Sequence, residues 1–354
     1  MRRFNDHKVV KDDLARIVSN ELHWKQLYRK KILITGGAGF LGAYLVKSLL
    51  LANKTHGLNL EINCIIRDIN KINVRLLEYK SRKDINFIEH DLSKFLPKEI
   101  PKCEYIIHCA SQASPKYYGT DPVGTLIPNS FGTMSLLNYA VASSSEKFLY
   151  FSSGEVYGST VDNNQSITEV DVGFLDPMKV RSCYAESKRM GETMCVAWAH
   201  QYGLHTNIVR PFHTYGPGMD LNDGRVFADF VADVVANRDI KLKSDGAAKR
   251  AFCYIADATS GFFRVLLQGE KAEAYNVANS DAEISIRNLA YTLANLFDDR
   301  KVGVVLENRD DAASYLTSPI DRALPNIDKV KKLNWLPTTG IEIGFKRTIE
   351  SYLQ

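Results

Sequence analysis

The stretch that decides the fold is KILITGGAGFLGAYLVKSLLLA, residues 31–52. It begins with a short apolar run typical of a buried strand, passes through a glycine-rich turn and ends in an apolar helical run. Gly36 permits the tight turn, Gly39 lets the backbone approach a diphosphate, and Gly42 allows the helix to pack closely on the strand. The start of this helix presents unpaired N–H groups and the positive end of its dipole to a phosphate.

Six further apolar runs lie downstream of this stretch. Each is continuously apolar, as in parallel strands that helices cover on both faces, and the intervening segments are long enough for crossover helices. We therefore predict an α/β fold, a doubly wound parallel sheet of the Rossmann type with a smaller C-terminal substrate lobe. The predicted strands after 31–35 are INCII (62–66), INFI (85–88), EYIIH (104–108), KFLYF (147–151), TNIVR (206–210) and AYNVA (274–278).

This pattern divides the chain into three segments. Residues 1–30 are predicted to form a helical N-terminal extension, because their apolar residues recur at helical spacing; the extension either packs on the core or mediates assembly. Residues 31–210 are predicted to form the dinucleotide-binding domain, to which a strand near 274–278 returns. Residues 211–354, where glycine and proline punctuate the sequence, are predicted to form mainly the substrate-binding lobe.

The composition excludes several classes of protein. The 354 residues carry 45 basic and 41 acidic side chains spread along the chain, whereas a nucleic-acid-binding surface needs clustered basic residues. No apolar run reaches the roughly 18 residues of a membrane span, and no apolar segment follows the basic N-terminus as in a secretory signal. The six cysteines form no C-x-x-C pair, which indicates reduced thiols and no metal site. We expect a cytoplasmic protein with neither a nucleic-acid nor a membrane partner.

The glycine-rich turn, in its context of strand, turn and helix, predicts a bound dinucleotide. After the second strand, Arg67 stands where an acidic residue commonly holds the ribose 2′-hydroxyl, and Asp68 follows it. An arginine accommodates a 2′-phosphate, whereas an aspartate suits NAD, so NAD is expected and NADP stays open. The expected cofactor-binding residues are Gly36, Gly39, Phe40, Leu41, Gly42, Arg67, Asp68, Asp91, Leu92, Ala110 and Lys188.

A second motif, YAESK (184–188), places Tyr184 and Lys188 four residues apart on one face of a helix. An ammonium group beside a phenol, with a nicotinamide cation nearby, favours the phenolate and predicts a lowered pKa for the tyrosine. Such a tyrosine serves as a general base near neutral pH. The preceding FSSGEVYG (151–158) ends the fifth strand and supplies hydroxyl groups at the same edge of the sheet.

These motifs together resemble the extended short-chain dehydrogenase/reductase family, which comprises epimerases, dehydratases and decarboxylases of nucleotide-sugars. The likeness extends over about residues 31–353 and includes HCASQASP (108–115), RPFHTYGPGM (210–219) and RAFCYIADA (250–258). Within this family the sequence is most similar to the UDP-glucuronate decarboxylases, through the stretches from Cys183 to Cys195 and from Asn222 to Val226. The resemblance also implies a homodimer built from two long helices of each subunit.

The resemblance implies roles for individual residues. Ser153 matches the hydroxyl that binds the sugar O4 together with Tyr184, and Glu155 matches the glutamate that decarboxylases need. Gly154 stands where dehydratases carry an acid, which argues against 4,6-dehydration. The residues matched to substrate contacts are Arg181, Arg225 and Arg250 at the nucleotide or its diphosphate, and Arg322 at the glucuronate carboxylate; His213 is expected to bond the substrate.

The sequence also departs from the family pattern. In the family's RIFNTYGPR motif the asparagine is replaced by His213 and the final arginine by Gly218, and the loop before the proline that follows Arg322 is one residue longer. The expected reaction is oxidation of C4 of UDP-glucuronate with bound NAD and decarboxylation to UDP-xylose or its 4-keto precursor. The alternatives are a 4-epimerase, less readily a 4,6-dehydratase, and a non-catalytic dinucleotide-sensing module.

Overall fold

The computed structural model describes residues 7–19, 22–69, 72, 75–159, 166–307 and 322–353. Seven strands form the main sheet, namely β1 (Lys31–Thr35), β2 (Glu61–Ile66), β3 (Ile85–Glu89), β4 (Tyr105–His108), β5 (Lys147–Phe151), β6 (Thr206–Pro211) and β11 (Glu273–Val277). They are all parallel and lie in the order β11–β6–β5–β4–β1–β2–β3. The order reverses between β1 and β4, which places a topological switch point at that crevice. The predicted doubly wound sheet is confirmed, and each strand lies within one residue of its predicted start and end.

Helices cover both faces of the sheet. Strand residues alternate between two hydrophobic cores: Ile32 and Ile34 of β1 enter the larger one, and Leu33 enters the smaller one. The second and eighth helices contribute to the larger core, and the fifth and sixth to the smaller. The helices are α1 (Lys8–Ser19), α2 (Phe40–His56), α3 (Lys116–Thr120), α4 (Pro122–Ile127), α5 (Thr133–Ala142), α6 (Cys183–Tyr202), α7 (Val226–Val235), α8 (Ile255–Gln268), α9 (Ile286–Ala294), α10 (Asp328–Lys331) and α11 (Ile341–Glu350).

The shorter strands lie beyond the end of β6 in the chain. They are β7 (Thr214–Tyr215), β8 (Ile240–Leu242), β9 (Lys249–Ala251), β10 (Cys253–Tyr254), β12 (Glu283–Ser285), β13 (Val304–Leu306) and β14 (Arg322–Ala323). β7 pairs with β10 and β8 with β13, whereas β9 lies between β12 and β14. This last sheet brings Arg250 of β9 and Arg322 of β14 onto neighbouring strands.

The described part of the N-terminal extension packs on the main body through α1, which contacts α2 and α8. Asp13 of α1 is fully buried and accepts hydrogen bonds from Tyr254 at 2.7 Å, Arg347 at 2.7 Å and Tyr44 at 3.3 Å. Burial is the largest influence on this carboxyl and raises its pKa. The larger core contains residues of all three predicted segments. The boundaries between those segments stay a prediction, and residues 1–6 and 20–21 of the extension lie outside the described residues.

Within the described residues, none of the helices combines the length and the hydropathy that crossing a membrane requires.

Candidate active site

A cavity of about 620 Å³ lies at the carboxyl edge of the main sheet. Its lining includes Gly36 after β1, Cys109 after β4, Ser153 after β5 and Phe212 after β6. In open parallel sheets, ligands bind outside the carboxyl ends of the strands at the switch point. The parallel strands therefore bring motifs that are far apart in the chain to one edge.

The glycine-rich turn forms one end of this cavity. Gly36 has φ +72°, and a Cβ there would lie 2.6 Å from the backbone nitrogen of Ala110. A Cβ on Gly42 would lie 2.2 Å from the Gly36 carbonyl oxygen, so helix α2 approaches the turn too closely for a side chain. The first bond of α2 runs from Ala43 N to Gly39 O at 3.0 Å. The earlier N–H groups, on Phe40, Leu41 and Gly42, belong to residues that line the cavity, and this arrangement fits the diphosphate of a dinucleotide.

The other predicted cofactor residues occupy different positions. Arg67 and Lys188 both line the cavity. Arg67 is exposed, whereas Lys188 is buried. Among the described residues, Asp68, Asp91, Leu92 and Ala110 are not part of the lining. The Ser93 N–H holds the pKa of Asp91 below its usual value, and Leu92 is buried in the smaller core.

Tyr184 and Lys188 lie on the cavity face of α6. The Lys188 side chain is 2% exposed; its Nζ donates to the Phe151 carbonyl oxygen at 2.6 Å and lies 5.8 Å from the centre of the Tyr184 ring. Burial lowers the pKa of Lys188 to about 7 and raises that of Tyr184 to about 12. Hydrogen bonding with Ser153 and the charges of Arg225 and Arg181 oppose this rise, and the Glu155 charge adds to it.

The direction predicted for the Tyr184 pKa is therefore wrong for the protein groups alone. The sequence revealed a lysine four residues away, but it did not reveal that both side chains are buried. Desolvation destabilises the charged form of each group, so the phenol stays protonated and the amine becomes a weaker base.

Ser153 and Glu155 stand together at the end of β5. The Ser153 hydroxyl accepts a hydrogen bond from the Glu155 N–H at 3.2 Å, which holds the short helical turn that follows. Arg181 Nη1 donates to Glu155 Oε2 at 2.8 Å. Between them in sequence, Gly154 packs against a ring, since an added Cβ would lie 2.8 Å from Phe212. The site therefore holds a carboxylate beside a guanidinium and excludes a side chain at position 154.

Tyr118 belongs to this group although the sequence-based site did not include it. Its ring is fully buried and stacks on Tyr184 with centroids 5.0 Å apart. The Arg181 guanidinium lies 4.7 Å from the centre of the Tyr118 ring on which it stacks. The spacing in the sequence gives no signal for this contact, because it joins α3 to α6.

Basic side chains dominate the rest of the lining. Arg225 forms an ion pair with Asp223 at 2.7 Å, and Arg250 reaches the same cavity from β9. The charges of Arg250 and Arg225 add to burial in lowering the pKa of His213 to about 3. Among the described residues, the buried His213 Nδ1 has no hydrogen-bond partner, so a neutral imidazole offers one polar atom at this wall.

Arg322 lies elsewhere. Its Nε and Nη2 bond Glu283 Oε1 and Oε2 at 2.7 and 3.1 Å. Arg322 does not line the cavity, although it lies one strand away from Arg250, which does. The structure thus brings Tyr184, Lys188, Ser153, Glu155, Arg181, His213, Arg225 and Arg250 to one cavity and leaves Arg322 beside it.

Comparison with known proteins gives consistent results. The sequence model of the NAD dependent epimerase/dehydratase family matches residues 32–278. UDP-glucuronic acid decarboxylase 6 of Arabidopsis thaliana is 32% identical, with 91% of this chain and 88% of that protein covered. UDP-glucuronic acid decarboxylase 1 of Xenopus tropicalis is 32% identical, with 92% of this chain and 72% of that protein covered.

Solved structures share the fold. UDP-glucose 4-epimerase from Thermotoga maritima superposes with a TM-score of 0.76 at 22% identity, covering 91% of this chain and 98% of that one. DesIV, a dTDP-glucose 4,6-dehydratase from Streptomyces venezuelae solved with NAD bound, has a TM-score of 0.76 at 25% identity, covering 91% of this chain and 96% of that one.

Proposed function

The chain belongs to the NAD-dependent epimerase/dehydratase family, and from this premise we propose that it converts UDP-glucuronate to UDP-xylose by oxidation at C4 and decarboxylation. The observation that carries the proposal is the position of Glu155, which lines the same cavity as Tyr184 and Ser153 and is paired with Arg181. The relatives named UDP-glucuronic acid decarboxylase, which align with more than nine-tenths of the chain, support the choice of substrate.

The first step is oxidation of the sugar C4. NAD, when bound at the glycine-rich turn, supplies the oxidising and reducing equivalents for that carbon. Burial alone keeps Tyr184 protonated, so it would act as the base only where the positive charge of the bound nicotinamide favours its phenolate. It would then take the proton of the C4 hydroxyl, and Ser153 would donate a hydrogen bond to the same oxygen. Positive charge near the phenol favours the phenolate, and the charges of Arg225 and Arg181 act on Tyr184 in this direction. The Lys188 Nζ lies 5.8 Å from the centre of the Tyr184 ring.

Oxidation makes decarboxylation facile, because the carboxylate then lies β to a ketone. The C5–C6 bond breaks, its electron pair moves into the C4 carbonyl to form an enolate, and CO2 leaves. The proton that C5 then takes up comes from solvent, through a water that the Glu155 carboxylate holds. Reduction of C4 and return of the proton from Tyr184 complete UDP-xylose. In the described arrangement Arg181 is the cation beside Glu155, whereas Glu283 holds Arg322 outside the cavity.

The position of Arg322 favours a second candidate, a nucleotide-sugar 4-epimerase. Epimerisation uses the same oxidation at C4 but needs no group that holds or releases a carboxylate. Tyr184, Lys188 and Ser153 serve it equally well. The two reactions differ in their dependence on Glu155, which decarboxylation needs and epimerisation does not.

We further propose NAD rather than NADP as the dinucleotide, with Arg67, Asp68, Asp91, Leu92 and Ala110 at its adenosine and nicotinamide ends. The family description supports NAD. Arg67 keeps NADP as the alternative, because it lines the cavity and could pair with a 2′-phosphate.

A homodimer is also proposed. Large apolar side chains are exposed on α4 and α6, namely Val123, Leu126, Met190 and Val196, and exposed apolar patches commonly mark interfaces between chains.

The six free cysteines agree with the proposed reducing, cytoplasmic location.

Identification of the product tests the proposed function. The purified protein is incubated with UDP-glucuronate and NAD, and the sugar is identified by NMR. UDP-xylose formed by the wild type and abolished in Glu155→Ala and Tyr184→Phe supports the decarboxylase. UDP-galacturonate, formed also by Glu155→Ala, overturns it in favour of the epimerase.

A further inference from the structure

His108 is a buried histidine that the proposed chemistry does not use. It ends β4 and pairs in register with Thr35, which ends β1, at the switch point of the sheet. His108 is 1% exposed, and its Nδ1 lies 2.7 Å from the Thr35 hydroxyl. Its Nε2 lies 3.1 Å from the Thr133 hydroxyl and 3.3 Å from the Pro128 carbonyl oxygen. The imidazole therefore joins the two central strands to the helical segments that cover them.

The partners of His108 determine which ring nitrogen carries the proton. Burial and the charge of Lys188 lower the pKa of His108 to about 3, so the ring is neutral and has one N–H. The Pro128 carbonyl oxygen only accepts, which assigns this N–H to Nε2. Nδ1 is then the acceptor, and the Thr35 hydroxyl donates to it.

The hydrogen bonds continue from Thr133 to the helix that carries the proposed base. The Thr133 hydroxyl donates to the Asn129 carbonyl oxygen at 2.7 Å, and Asn129 Nδ2 donates to the Ser187 hydroxyl at 3.0 Å. The Ser187 hydroxyl donates in turn to the Tyr184 carbonyl oxygen at 2.8 Å. Thr133, Asn129 and Ser187 are all buried. Buried hydrogen bonds linked in this way strengthen one another and hold their groups in fixed places.

The path of this buried hydrogen-bond chain connects the two halves of the proposed site. One end is Thr35, which directly precedes Gly36 of the glycine-rich turn. The other end is the backbone of Tyr184 in the first turn of α6. Between them the chain crosses a π-helical turn, Pro128–Gly132, and such turns are frequent at functional sites.

We infer that His108 is a positioning residue, which fixes the first turn of α6, and with it Tyr184, relative to the end of β1. The inference rests on the proposed role of Tyr184 as the base, and it holds for either the decarboxylase or the epimerase. A displacement of about 1 Å far from the reacting atoms can cost about 100-fold in rate. Loss of the hydrogen-bond chain should therefore lower kcat more than it changes binding.

Substitutions at the two ends of the chain test the inference. His108→Phe and Ser187→Ala both interrupt it, and each is expected to lower kcat at least about tenfold with KM within about threefold of the wild type. His108→Gln keeps an N–H donor for Thr133 and should retain kcat within about threefold. UDP-glucuronate and NAD are the substrates. Because kcat is expressed per nucleotide-binding site counted by calorimetry, unfolded protein does not lower it.

His205→Phe is the matched control. His205 is a partly buried histidine just before β6, and its Nε2 bonds the Gly269 carbonyl oxygen at 3.0 Å, away from the hydrogen-bond chain of His108. Its replacement should leave kcat unchanged. A loss of kcat as large as that in His108→Phe would overturn the inference, as would equal losses in His108→Gln and His108→Phe. Ser187→Ala removes one hydroxyl only, so an unchanged kcat in that variant overturns the inference even if His108→Phe does not fold.

The double variant separates one chain from two independent effects. If His108 and Ser187 act through the same hydrogen bonds, His108→Phe combined with Ser187→Ala lowers kcat about as much as either change alone. Losses that multiply would show independent contributions and would contradict the inference.

NMR of the Tyr184 ring separates this inference from the proposed function, because it needs no turnover. The resonances are assigned in protein with isotope-labelled tyrosine by comparison with Tyr184→Phe. We expect them to shift in His108→Phe and Ser187→Ala and to stay in place in His205→Phe. Unchanged resonances in the first two variants would overturn the inference even where the wild type forms UDP-xylose. A wild type that does not act on UDP-glucuronate would overturn the proposed function, and the resonances would then decide this inference.

Discussion

The rings of Tyr118 and Tyr184 lie parallel, with an interplanar angle of 15° and centroids 5.0 Å apart. Tyr118 is fixed from the other side by its hydroxyl, which donates to the Ala113 carbonyl oxygen at 3.0 Å. The stack therefore sets the plane of the proposed base. A base of this kind must point its oxygen at the C4 hydroxyl, and small errors in such alignment are costly to the rate.

Replacing Tyr118 tests this relationship. Tyr118→Leu, which removes the stack, should lower kcat about tenfold or more with little change in KM, because the Tyr184 ring loses its fixed plane. Tyr118→Phe keeps the ring and loses the bond to Ala113, and should retain most of the activity. Steady-state kinetics with UDP-glucuronate provide the comparison. Equal losses in the two variants, or a loss confined to KM, would contradict the positioning role.

Arg181 and Arg322 should differ in their importance for turnover. Arg181→Gln leaves Glu155 without its ion pair and removes a cation from the cavity, and a hydrogen bond to a charged group is worth about 1.5–3 kcal/mol, or roughly 10- to 100-fold in turnover. Arg322→Gln is the matched control, since that arginine pairs with Glu283 outside the cavity, and should retain turnover within about threefold. The opposite ranking would show that Arg322 reaches the substrate.

From the lowered pKa of His213 we predict that the stability of the fold depends on pH. Burial and the Arg250 and Arg225 charges lower its pKa from the usual value of 6.5 for histidine to about 3 in the folded chain. Between these two values the unfolded chain binds a proton that the folded chain does not, so stability falls as the pH falls from about 6.5 towards 3. Urea unfolding of His213→Asn should show a shallower decline over this range than the wild type. Parallel declines would mean that His213 is protonated in the folded protein.

From the buried hydrogen bonds of Asp13 we predict that the N-terminal helix α1 stabilises the whole chain. Asp13→Ala leaves the hydroxyl of Tyr254 and the guanidinium of Arg347 without their buried partner, and breaking a buried pair in this way costs about 3 kcal/mol or more. Asp12→Ala is the control, since Asp12 is the exposed neighbour on the same helix. Chemical denaturation should place the control within about 0.5 kcal/mol of the wild type. A similar loss in both variants would argue against the buried network.

Features that depend on neighbouring residues can be predicted from this sequence, whereas contacts between segments far apart in the chain cannot. The seven strands follow from continuous apolar runs, and the start of α2 follows from Gly36, Gly39 and Gly42, because these are local signals. The contact between Tyr118 and Tyr184 joins distant segments, and no pattern in the sequence encodes it.

The burial of a side chain and its ion-pair partner also cannot be predicted from a short stretch of sequence. The direction predicted for the Tyr184 pKa is wrong for the protein groups alone, because burial outweighs the neighbouring positive charges. That burial depends on contacts such as the stacking of Tyr118 of α3 on Tyr184 of α6. The pairing of Arg322 with Glu283 joins β14 to β12, so the motif alone did not indicate that Arg322 lies outside the cavity.

The central claim, decarboxylation through protonation at C5 with Glu155, is tested most directly by running the reaction in D2O. UDP-glucuronate and NAD are added to the wild type and to Glu155→Gln, and the product is examined by mass spectrometry and NMR. We expect UDP-xylose with one deuterium at C5 from the wild type, and its rate of formation to fall by at least about 100-fold in the variant. A product that keeps its carboxylate and carries no deuterium on carbon, formed equally well by the variant, would contradict the account.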